Sequence, residues 1–99
     1  MNWHSVASIS KDCAGLSESW RIEVAHVDGD TFAWRTTGDE DEDAETIDSG
    51  SAEFIGRYLI DNAGGYETAL VRGLSRVADS RPEFGPLLNA VDTQLEKER

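Results

Sequence analysis

"SWRIEVAHVDGDTFAWRTT", residues 19–37, alternates apolar and polar side chains on both sides of a turn. Trp20, Ile22 and Val24 interleave with Arg21, Glu23 and Ala25, while Phe32 and Trp34 interleave with Ala33 and Arg35. A period of two sends successive side chains to opposite faces of an extended chain, so each half reads as a half-buried strand of one hairpin. The loop sets the register. A two-residue Asp28-Gly29 loop would place Phe32 opposite Ala25 and put the apolar sets on opposite faces. A three-residue Val27-Asp28-Gly29 loop, a type I turn with Gly29 in the left-handed region, puts Val24 across from Phe32 and Ile22 across from Trp34. The three-residue loop is the expectation. Residues 3–9, "WHSVASI", alternate weakly and read as a third antiparallel strand.

The period then lengthens to about 3.6. Ser51 is a good N-cap, and Phe54, Ile55, Tyr58 and Leu59 fall on one face of a helix that Gly64 and Gly65 end. A second helix is expected from about Tyr66 to Asp79, with Ala69, Leu70, Gly73, Leu74 and Val77 as its apolar stripe. Gly73 inside that stripe costs about 1 kcal/mol of helix propensity, which suggests that another element approaches closely there. Ser80 and Glu83 have capping-box form, and Pro86 suits a first helical turn. A third helix is therefore expected from about Pro86, with Leu88, Val91 and Leu95 inward. Strands first and helices afterwards indicate an α+β fold. It comprises a small antiparallel sheet of about three strands over residues 3–37, followed by about three helices packed on one face.

With 99 residues and 38% apolar side chains, the chain reads as one domain over residues 1–99, able to bury roughly 60–65% of its unfolded surface. No apolar run approaches the ~20 residues of a membrane span, and "MNWHSVASIS" has neither a basic nor an apolar leader region. No membrane association is expected. The single cysteine, Cys13, forms no internal disulfide, which fits a cytoplasmic protein.

Charge is unevenly placed. Residues 38–50, "GDEDEDAETIDSG", carry seven acids and no base, so seven units of the formal net charge of −11 sit in this one loop. Adaptation to high salt would spread acids over the whole surface instead. So negative a chain is a poor direct ligand for nucleic acid, whose phosphates demand Lys and Arg. The partner expected from charge is a basic protein surface.

Constellations that would carry chemistry are weak. Cys13, His26 and Asp28 are the residue types of a thiol-protease triad, but no local signature surrounds Cys13. His4, Cys13 and His26 match no zinc spacing and lack a fourth ligand. Asp39, Asp41 and Asp43 reproduce the first three ligand positions of an EF-hand loop, yet Ala44 replaces its glycine and Gly50 its bidentate glutamate. No catalytic residue, metal or cofactor is assigned, and the chain reads as a non-enzyme.

The acidic run has a bland reading, a solvated connection whose like charges resist folding. It also has a functional one. An extended chain advances about 3.3 Å per residue, close to the ~3.4 Å between phosphates along a nucleic-acid strand, so the run imitates one strand's charge. The most concrete expectation is a nucleic-acid-mimicking inhibitor of a basic nucleic-acid-binding partner. Small acidic anti-restriction and anti-CRISPR proteins of phages and mobile elements share this size and charge. Asp39, Glu40, Asp41, Glu42 and Asp43 would make the contacts, with Glu45 and Asp48 extending the surface. The alternative is a small structural or regulatory module, a homodimer through Trp3, Tyr66 or Phe84, in which the acidic loop aids solubility.

Overall fold

A computed structural model of the chain describes residues 2–13, 15–38 and 48–97, the side chains at 11–13, 16–18 and 38 excepted. It shows an α+β fold. Four antiparallel strands, β1 (His4–Cys13), β2 (Leu16–Asp28), β3 (Thr31–Gly38) and β4 (Asp48–Ser51), form a sheet in the order β1-β2-β3-β4. Three α-helices follow, α1 (Ala52–Asn62), α2 (Glu67–Ser80) and α3 (Gly85–Lys97), with a 3₁₀ turn at Pro82–Phe84 leading into α3. Helix α1 lies over β3 and β4, α2 over β1, and α3 closes on α1 and α2. Among the described residues no helix is long and apolar enough to cross a membrane.

The hairpin is present, but its register is not the expected one. Val24 faces Trp34, His26 faces Phe32 and Ile22 faces Thr36, with Val27 as an extra residue between His26 and Asp28. The loop is two residues, Gly29 and Asp30, closed by the Asp28–Thr31 pair. Pairing has thus moved two residues from the expected alignment. Such a shift preserves the side-chain period, so the same residues still point inward. Ile22, Val24, Phe32 and Trp34 are all buried, with Trp20 packed partly against them. Gly29 takes φ +42°, in the left-handed region as expected, and His26 Nε2 donates to its carbonyl at 2.8 Å. Gly29→Val should destabilise by more than about 1 kcal/mol, because a β-branched side chain is strained at positive φ. A denaturant midpoint unchanged from wild type would show that the turn tolerates another conformation.

The fourth strand comes from the end of the loop assigned to 38–50. Gly38 closes β3, and Asp48, Ser49, Gly50 and Ser51 pair with Trp34, Ala33, Phe32 and Thr31. Ser51 then caps α1 as expected, its Oγ accepting from the Phe54 N–H at 3.3 Å. The buried face of α1 is rotated from the expected one. Ile55, Gly56, Leu59 and Ile60 are inward, while Phe54 and Tyr58 are exposed. In α2, Leu70, Gly73 and Leu74 are buried and Ala69 is exposed. Ser80 does not cap the third helix, because α2 continues through it and Arg81 precedes the 3₁₀ turn. Helix α3 begins at Gly85 and buries Leu87 and Val91, with Leu88 and Leu95 only partly covered.

The sheet face away from the helices is held by a small polar arrangement. Arg35 Nε donates to Glu23 Oε1 at 2.9 Å from the neighbouring strand, and its guanidinium carbon stands 4.3 Å from the centre of the Trp3 ring. Ala25 and Ala33, opposite one another on the same strands, are fully buried.

Candidate functional site

Of the acids proposed as contacts, Asp39, Glu40, Asp41, Glu42, Asp43 and Glu45 lie outside the described residues. Asp48 is within them and opens β4, half-buried, with Oδ1 accepting from the Ser49 N–H at 2.8 Å. The described neighbours show where the acidic run is attached. It leaves the sheet after Gly38 and returns at Asp48, so both ends belong to adjacent strands.

Beside the returning strand lies an aromatic cluster that periodicity had placed in the core. Tyr58 stacks on Trp34 with centroids 5.9 Å apart and planes 20° from parallel, and Phe54 meets Tyr58 edge-on at 4.9 Å. Helix geometry explains the pair, since residues four apart stand one above the other on one face. Phe54 also leans over β4, where a side chain at position 50 would come within 2.7 Å of its Cδ1. Phe54 is 43% and Tyr58 36% exposed, which makes them, with Val27, the large apolar side chains open to solvent among the described residues. Trp34 below them is 3% exposed, and its indole N–H has no hydrogen-bond partner among the described residues. Exposed aromatics on a packed base have the composition of an interface core.

Of the residues suggested for a homodimer, Phe84 is not at the surface, whereas Trp3 and Tyr66 are half-buried. Phe84 is 1% exposed and sits in the core against Phe32, with centroids 5.8 Å apart. Trp3 is occupied with Arg35, and the Tyr66 hydroxyl donates to the Ser10 carbonyl at 3.2 Å. The sequence places Tyr66 only at the start of the second helix, and helical periodicity carries no signal of that contact, which joins the N-terminal strand to the start of α2.

The triad and zinc candidates are dispersed. His4 and Cys13 occupy opposite ends of β1, about 30 Å apart at ~3.3 Å per residue. His26 lies toward the His4 end of the sheet, because His4 pairs with Val24 on the same strand. Both histidines instead flank Phe84, at 5.4 Å for His4 and 6.3 Å for His26 between ring centres. Among the described residues no three His, Cys, Asp or Glu side chains gather as a metal site.

No family model matches the chain, and neither curated proteins nor solved structures give a match.

Proposed function

We propose that the chain is a non-enzymatic binding protein that presents an acidic and aromatic edge to a basic protein surface, most concretely the groove of a nucleic-acid-binding protein. The observation that carries this reading is the position of exposed Phe54 and Tyr58 beside β4, the strand into which the acidic run leads. The two parts have different physical tasks. The acids attract a basic partner over the Debye length of about 8 Å and set the encounter rate. The aromatics then bury apolar area and meet Lys or Arg on their ring faces, which determines how long the complex lasts. In this reading the run occupies a groove that phosphates would otherwise fill, so the protein acts as an inhibitor by competition.

Affinity capture from the native host at low and high salt would supply the partner, and two variants then separate the tasks. Replacing the acids at 39–43 by Ser, Asn or Gln should leave the fold unchanged, slow association and flatten its salt dependence. Phe54→Ala should leave association nearly unchanged and raise the dissociation rate, by about tenfold if the ring is an anchor. Nucleic acid should compete with the unmodified chain. If the neutralised variant associates at the original rate with the original salt slope, the phosphate-mimic reading fails and the run is a solvated connection.

A further inference from the structure

At the opposite edge of the sheet, the hollows between β1 and α2 are lined by Arg72, Arg76 and Arg81 and, among the described residues, by no carboxylate. Along β1, Tyr66 reaches Ser10, Gly73 meets Val6, and Arg81 borders a hollow with His4, so α2 runs antiparallel beside the strand. At ~3.3 Å per strand residue and ~1.5 Å per helix residue, both tracks span roughly 20 Å. An open groove follows them, bordered on one side by the consecutive residues Ser5 to Ser8 and on the other by Arg72, Arg76 and Arg81. Arg72 and Arg76 form no ion pair among the described residues, and Arg81 approaches Glu83 at 3.8 Å. The carboxylates of Glu67, Asp92 and Glu96 stand around a separate hollow on the other flank of Arg72.

We propose that this groove binds an extended peptide segment with acidic side chains at alternate positions. Arg72 and Arg76 are one helical turn apart, about 6 Å along the axis, and residues i and i+2 of an extended chain present side chains on one face about 6.6 Å apart. Each guanidinium offers a fork of donors that matches a carboxylate. The exposed hydroxyls of Ser5 and Ser8 face the same space, and Val77 supplies an apolar floor for the intervening residues. The strand wall from His4 to Ser8 is about 13 Å long at ~3.3 Å per residue and matches about five extended residues, three of them on one face. Nucleic acid fits less well, because one strand presents a phosphate about every 3.4 Å, roughly twice the density of arginines spaced one helical turn apart. The reading is independent of the one made for the acidic edge.

The test is a titration of the full chain with a labelled hexapeptide, Glu-Thr-Glu-Thr-Glu-Thr, at low salt, read by anisotropy and by amide shifts. The peptide should bind saturably and move the amides of residues 5–8 and 68–80, while its Gln-for-Glu counterpart should bind far more weakly. R72Q/R76Q should retain the native amide spectrum and lose about 5- to 30-fold in affinity, the range expected for two partly exposed ion pairs. Equal binding of the Gln peptide, unchanged affinity of the double variant, or shifts elsewhere would overturn the proposal. So would displacement by inorganic phosphate as effective as by free peptide, which would mark a simple anion site. Concentration-dependent shifts of these same amides without peptide would also overturn it, by making a second copy the occupant.

Discussion

Gly73→Ala is expected to destabilise the protein by roughly 2–4 kcal/mol, although the same change in an exposed helix would stabilise by about 1 kcal/mol. A Cβ at position 73 would overlap the carbonyl oxygen of Val6 and come within 2.7 Å of the Val6 Cα. Those are backbone atoms of β1, at the point where its pairing with β2 slips by one residue. Neither partner has a flexible end that can swing away, so α2 must lift from the strand along its buried Leu70 and Leu74. Urea unfolding followed by tryptophan fluorescence measures the effect. A neutral or stabilising result would mean that α2 is not seated on the backbone of β1.

The second large effect is expected at Phe84. Phe84→Ala should cost about 3–5 kcal/mol through lost burial and the cavity left behind. The ring fills the space where the 3₁₀ turn meets the turn end of the hairpin, against Phe32, His4 and His26. Four rings share that volume, so relaxation around the hole is limited. Phe84→Leu should recover much of the loss, because it keeps an apolar filling of the site. A change below about 1 kcal/mol for the alanine variant would contradict a core role and return Phe84 to the surface.

Periodicity made most of this architecture legible. The alternation in 19–37 shows which residues of β2 and β3 point inward, and Gly73 within an apolar stripe signals close approach before any coordinate is seen. Alternation does not distinguish registers two residues apart, which is why the bulge at Val27 escaped it. In α1 the sequence favours its largest apolar residues as the inner face, but α1 meets α3 at Gly56, where even a methyl would only just touch Ala90. Phe54 and Tyr58 are turned outward instead. Strand β4 consists of Asp48, Ser49, Gly50 and Ser51, none a strong strand former, and it exists because β3 offers an unpaired edge. The acidic run was visible as composition. The arginine groove was not, because its two walls come from opposite ends of the chain and meet only when α2 docks on β1.

The brevity of β4 also bears on how copies of this protein behave when crowded together. An outer strand leaves a row of backbone donors and acceptors that invites another sheet to stack sideways, the first step toward insoluble aggregates. Here that row is four residues long and begins with a carboxylate. Two sheets joined there in parallel would also bring the Asp48 residues that open each β4 one strand spacing apart, about 4.8 Å. Repulsion at that separation opposes the join, and it weakens as salt is added. Asp48 therefore acts as a gatekeeper for the exposed edge, most effectively at low ionic strength.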